Sequence, residues 1–198
     1  MDKYGEIIIG FVLGGVFIMN TEIGIITIHP IHKHAFSVIE HPEGQYEYIG
    51  DALGCDCLIE RFVDGFMRKY KNDGRNNEDW YSWDAEVLAP FDGMVEAIHI
   101  NPITNKIGEI NPSRASSITF FRNDGVRVFY GHVQDVNVVV GDSVKAGDIV
   151  AKVGNNGYSR CPHIHIGAWK EKIPFQIRFD LRELGKYFKQ LGDKGYHF

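Results

Sequence analysis

The chain has 198 residues, of which 44% are hydrophobic and 24% are charged. This composition is typical of a globular protein and excludes a disordered or collagen-like chain. Three cysteines are too few for a disulfide-rich scaffold. The 21 basic and 26 acidic residues give a net charge of −5. We therefore expect no nucleic-acid partner, because binding to the phosphate backbone requires a basic surface.

An apolar segment occupies residues 7–19. It is shorter than the roughly 20 residues of a membrane-spanning helix. It also lacks the basic start and the small-residue cleavage site of a signal peptide. The segment predicts a β-hairpin that turns at Gly14-Gly15, inside an N-terminal β-rich appendage of residues 1–35. A cytoplasmic location is expected, and export or membrane association through this segment is the alternative.

Most of the chain that follows predicts short β-strands separated by turn signals such as Asn123-Asp124-Gly125. The predicted strands cover residues 23–28, 45–49, 55–62, 95–100, 117–122, 126–130, 149–153 and 163–169. A single helix is predicted over residues 181–191, because its leucines and Phe188 share one face. The expected fold class is mostly β, an antiparallel sheet or β-roll with a short C-terminal helix.

Histidines at strand positions are the main candidates for chemistry. His163 and His165 alternate with Ile164, so a strand places both imidazoles on one face and the isoleucine on the other. Two imidazoles on one face can bind one metal ion, or they can divide ligand binding and proton transfer between them. His132 adds a third imidazole at the end of another predicted strand.

Four segments follow one another in an informative order. They are VLAPFDGMV at residues 87–95, YGHV at 130–133, GDSVKAGDIVAKVGNNG at 141–157 and CPHIHIGAW at 161–169. In this order they resemble the lysostaphin-type, LytM-like zinc metallopeptidases. The resemblance is well supported over residues 87–169 and extends weakly back to residue 36, so residues 36–198 are predicted to form the peptidase domain.

The resemblance implies one zinc ion and hydrolysis of amide bonds in peptides of the peptidoglycan type. By the match to the HxH motif of this family, the resemblance implies that His165 is a zinc ligand. It implies that His163 and His132 are the two catalytic histidines. The family takes its other two ligands from an upstream HxxxD motif. We assign the carboxylate to Asp56 rather than to Asp84, which lies only three residues before Val87. Cys55 and Cys57 then flank a ligand and face away from it, as free buried thiols.

The first histidine of the HxxxD motif has no counterpart at the expected spacing. Ala52 stands four residues before Asp56, and the loop that brings the histidine is expected to be shortened. Asp51 and His41 are the candidate replacements. The cluster of His29, His32 and His34 is interpreted as a polar loop, because Pro30 interrupts it.

Three functions remain open from the sequence. The first is a zinc-dependent metalloendopeptidase acting on a peptide or peptidoglycan substrate. The second is a catalytically silent LytM-like binding module that has lost a zinc ligand. The third is a lipoyl- or biotinyl-type carrier domain, which the glycine-rich roll also permits, although no modifiable lysine stands at a hairpin tip.

Overall fold

The computed structural model describes residues 23–46 and 48–191. The predicted hairpin in residues 7–19 lies outside this range. None of the helices in the described part is long and apolar enough to cross a membrane.

Strands dominate the described residues. In chain order they are β1 Gly24–Ile28, β2 Phe36–Glu40, β3 Cys55–Ile59, β4 Arg61–Val63, β5 Phe66–Arg68, β6 Glu86–Leu88, β7 Gly93–His99, β8 Ser117–Phe121, β9 Val126–Gly131, β10 Val133–Gln134, β11 Ser143–Val144, β12 Ile149–Val153, β13 Ile164–Lys170 and β14 Ile173–Phe179. A 3₁₀ turn covers Asn77–Asp79, and helix α1, Leu181–Gln190, follows β14.

Strand β13 organises the main sheet, which has nine strands among the described residues. On one side, β13 pairs with β9 along most of its length. On the other side, it pairs with β3 near its start and with β14 near its end. Strand β2 extends the sheet beyond β3, and β8, β7 and β11 extend it beyond β9. The start of β13 therefore lies between β3 and the end of β9.

The glycine-rich roll forms a smaller sheet of β10, β12 and β6. The two Gly-Asp turns lie where the sequence predicts them, and Gly141 and Gly147 have φ values of +95° and +86°. Such a conformation strains any residue with a side chain, so glycine is required at both turns. Side chains from both sheets form one core, which includes Val87, Val150 and Ile166.

Most of the predicted strands are confirmed, with ends shifted by a few residues. The predicted strand over residues 45–49 is wrong, because its described residues form turns between β2 and β3. The helix is confirmed and begins after Asp180, whose side chain accepts a hydrogen bond from the amide of Arg182. Strands β2 and β14 were not anticipated. The alternation of Ile173, Phe175, Ile177 and Phe179 is the signal that predicts β14.

The described part of the predicted appendage is integrated into the main sheet. Strand β1 pairs in parallel with β14. Ile26, Ile28 and Ile31 are buried in the shared core. For residues 23–35, therefore, the structure shows no division between an appendage and the domain.

Candidate active site

The pairing of β2 with β3 positions two of the side chains. Its register sets Ile39 opposite Asp56, and the amide of His41 donates a hydrogen bond to the carbonyl of Gly54 just beyond the paired residues. Since side chains two apart on a strand share a face, His41 points to the same side as Asp56. Its Nε2 atom lies 3.4 Å from Oδ2 of Asp56.

The start of β13 supplies the third member of this group. His165 is paired with Asp56 across the sheet, and its Nδ1 atom is 3.0 Å from Oδ1 of Asp56. The rings of His165 and His41 stack with their centroids 5.0 Å apart. His41, Asp56 and His165 each offer one ligand atom, and these atoms lie within 4.8 Å of one another. We call these three residues the ligand group.

The electrostatics of the ligand group favour a negative carboxylate. Burial alone raises the pKa of Asp56, but hydrogen bonds from His165 and His41 and the nearby His163 lower it well below its usual value. Burial lowers the pKa of His165, whereas its hydrogen bonds to Asp51 and Asp56 raise that pKa to about 9. In the absence of a cation, a protonated His165 compensates for the partly buried carboxylate of Asp56.

Two further histidines lie beside the ligand group. His163 is buried, and its Nε2 atom is 3.6 Å from Oδ1 of Asp56. His132 is also buried, and its ring centroid is 4.6 Å from that of His163 and 6.3 Å from that of His165. His132 has a φ of +66°. A residue with a side chain rarely adopts this conformation, and strain of this kind is concentrated at functional sites.

Backbone carbonyls fix the tautomers of these two histidines. Nδ1–H of His132 donates to the carbonyl of Asn156 at 2.8 Å, and Nδ1–H of His163 donates to the carbonyl of Cys161 at 2.8 Å. A carbonyl can only accept, so Nε2 of each neutral ring carries the lone pair. Burial lowers the pKa of both rings. Both are therefore neutral near pH 7 and able to accept a proton through Nε2.

The structure brings together all four residues that the sequence singled out, namely Asp56, His132, His163 and His165. It also adds His41, which the sequence offered only as a candidate. His41 reaches Asp56 across a 13-residue connection, residues 42–54, rather than across the shortened loop that the sequence predicted. Asp51 contacts His165 but lies outside the ligand group.

The other polar candidates take structural positions. Cys55 and Cys57 are free and buried in the core behind Asp56, as predicted. His29, His32 and His34 do not form a possible metal group among the described residues. The three histidines lie in the loop between β1 and β2, as predicted, but His32 is fully buried.

Comparison with known proteins identifies the domain. The sequence profile of peptidase family M23 matches residues 81–177. Glycyl-glycine endopeptidase ALE-1 of Staphylococcus capitis is 46% identical over 59 residues, which are 29% of this chain and 16% of that protein. The chain carries a LytM-like peptidase domain. Lysostaphin of Staphylococcus simulans is 43% identical over 72 residues, which are 36% of this chain and 14% of lysostaphin.

The M23 match covers part of the candidate site. It includes His132, His163 and His165, whereas His41 and Asp56 precede it. The chain spans about one sixth of the length of ALE-1 and of lysostaphin. Among solved structures, the catalytic domain of the prophage-encoded M23 protein EnpA from Enterococcus faecalis is similar, with a TM-score of 0.45 and 20% identity over 72% of this chain and 87% of that one.

Proposed function

We propose that the chain is a zinc-dependent metalloendopeptidase that hydrolyses amide bonds in peptides of the peptidoglycan type. The observation that carries this proposal is the position of two neutral histidines, His132 and His163, beside a group of three possible metal ligands. The M23 match and the lysostaphin-like relatives support the same activity.

The ligand group suits zinc by its donor chemistry. Two imidazole nitrogens and one carboxylate are donors that zinc prefers, and a catalytic zinc site has three protein ligands and one open position. The partly buried carboxylate of Asp56 faces His41, His163 and His165 and has no lysine or arginine partner among the described residues. When bound, zinc lowers the pKa of a coordinated water and polarises a carbonyl.

His132 and His163 provide the proton chemistry. Each presents an unprotonated Nε2 atom and is held in that tautomer by a backbone carbonyl. A neutral imidazole can accept the proton of an attacking water, and the resulting imidazolium can donate it to the leaving amine. A protonated imidazole also stabilises negative charge on the carbonyl oxygen of the scissile bond.

His41 weakens the case for a silent binding module. That alternative depended on a missing first ligand, and the pairing of β2 with β3 brings His41 into the ligand group. A metal-binding assay separates the two functions directly.

We expect purified protein to contain about one zinc ion per chain, since three ligands and an open position are typical of catalytic zinc. His41→Ala, Asp56→Ala and His165→Ala should each lose most of this zinc. His99→Ala is the matched control, because His99 lies at the far end of β7 and outside the ligand group. Elemental mass spectrometry measures the zinc content. A wild-type protein without zinc after zinc loading would support the silent binding module instead.

We expect His132→Ala and His163→Ala to retain zinc and to lose hydrolysis by about 10²- to 10⁴-fold, the usual contribution of a positioned acid or base. The assay follows new amino groups released from purified peptidoglycan. A glycine pentapeptide is tested as a second substrate, because one relative is named a glycyl-glycine endopeptidase. Full zinc occupancy with no release from either substrate would contradict the proposed activity.

A further inference from the structure

Asp51 makes a contact that the ligand group and the two catalytic histidines do not explain. Its Oδ1 atom lies 2.8 Å from Nε2 of His165. The opposite edge of the same ring faces Asp56 through Nδ1 at 3.0 Å. His165 is therefore held between two carboxylates, one inside the ligand group and one outside it. The Asp51 side chain is 28% exposed, and that of His165 is 12% exposed.

Backbone contacts fix the position of Asp51. Its amide donates to the carbonyl of Tyr48 at 2.9 Å, and its own carbonyl accepts from the amide of Gly54 at 3.2 Å. The turn of residues 48–54 packs directly against β13. A Cβ atom at Gly167 would collide with the carbonyl of Gly50, and one at Gly54 would collide with the carbonyl of Ile166. Close packing against the strand that carries His165 keeps the carboxylate in reach of Nε2.

We propose that Asp51 is a positioning residue that accepts a hydrogen bond from Nε2–H of His165 and so directs the Nδ1 lone pair of that ring into the ligand group. This inference rests on the proposed zinc site. Carboxylates that accept the second N–H of a ligating histidine fix its tautomer and ring orientation and raise its basicity. Here the carboxylate comes from residues 42–54, the connection that separates His41 from Asp56.

The geometry argues against Asp51 as a ligand in its own right. Its Oδ1 atom meets the ring nitrogen that points away from Asp56. It also stands outside the three residues whose ligand atoms lie within 4.8 Å of one another. Cobalt(II) in place of zinc tests this point, because its visible absorption bands report on the number and type of ligands.

The test is the dissociation constant of zinc in the full chain, measured by competition with a chelating dye. We expect Asp51→Ala to weaken zinc binding by about 10- to 100-fold, the usual effect of removing such a partner. Asp51→Asn keeps an amide oxygen that can accept the hydrogen bond, and it should recover part of the loss. Asp73→Ala is the control, because Asp73 is an exposed carboxylate paired with Arg75 outside the site.

Two spectroscopic readouts separate positioning from a structural effect. In zinc-loaded, ¹⁵N-histidine-labelled protein, Nε2–H of His165 should give a downfield proton resonance that Asp51→Ala shifts upfield. The cobalt(II) bands should keep the intensity that reports the coordination number in that variant. An altered coordination number would make Asp51 a ligand and overturn the inference.

The result also distinguishes this inference from the proposed function. Wild-type protein that binds zinc, with Asp51→Ala binding it equally tightly, would overturn the role of Asp51 alone. Wild-type protein that binds no zinc would overturn both.

Discussion

His32 and His165 are both largely withdrawn from solvent, yet their pKa values move in opposite directions. Burial lowers the pKa of His32 to about 4, only partly opposed by its hydrogen bond to the carbonyl of Glu86. Two carboxylates overcome the same desolvation at His165 and raise its pKa to about 9. The hydrogen-bond partners therefore decide the charge of each ring at pH 7. His32, beside a carbonyl, is neutral, and His165, between two carboxylates, is charged.

His32 should make the stability of the protein depend on pH. Its folded-state pKa of about 4 lies below the ordinary histidine pKa of 6.5, so between these values the unfolded chain binds more protons. The contribution of His32 to the free energy of unfolding is then fully present above pH 6.5. The free energy of unfolding falls as the pH decreases toward 4. At pH 5, the loss from this one group is about 2 kcal/mol.

The variant His32→Asn isolates this effect, because its amide can still donate to the carbonyl of Glu86 and cannot take up a proton. Urea unfolding of metal-free protein at pH 7.5 and pH 5.0 gives the measurement. The difference in unfolding free energy between the two pH values should be smaller in the variant than in wild type by about 2 kcal/mol. Equal differences would show that His32 does not titrate in this range.

At the scale of single elements, most strands within the M23 match could be predicted, whereas β14 and the place of His41 beside Asp56 could not. The alternation of His163, Ile164 and His165 fixes which side chains share a face, and the structure places both imidazoles beside Asp56. That pattern is local, because the two-residue alternation of side chains along a strand does not depend on which strands pair with it.

The sequence offered His41 only as one of two candidates, because its position depends on the register between two strands. Strand β2 is mostly exposed although three of its five residues are apolar, and 12 residues lie between His41 and its backbone partner Gly54. Sequence spacing alone does not reveal that Ile39 pairs with Asp56. Asp51 was singled out as a possible ligand, and the structure places it against the far edge of His165.

At the scale of the whole molecule, the two ends of the described chain are joined by one pair of strands. Strand β1 lies beside β14 in parallel, with Gly24 opposite Phe175 and Ile28 opposite Phe179. Strand β14 pairs in turn with β13, which carries His165. The residues preceding the M23 match thus contribute both His41 and Asp56 of the ligand group and an edge of the sheet that supports them.

This arrangement predicts that β1 unfolds together with the rest of the domain. Ile28 is 2% exposed and belongs to the shared core, whereas Ile25 on the same strand is 60% exposed. Ile28→Ala should lower the free energy of unfolding by about 2–4 kcal/mol, because it removes buried methyl groups and leaves a cavity. Ile25→Ala, the matched control, should cost less than about 1 kcal/mol.

Urea unfolding followed by tryptophan fluorescence reports on the body of the sheet, since Trp169 lies in β13. A shift of this transition in Ile28→Ala, without a change in its slope, means that β1 and the sheet unfold as one cooperative unit. If β1 were a separate appendage, the fluorescence transition would stay at its wild-type position, and only far-ultraviolet circular dichroism would show an additional early step.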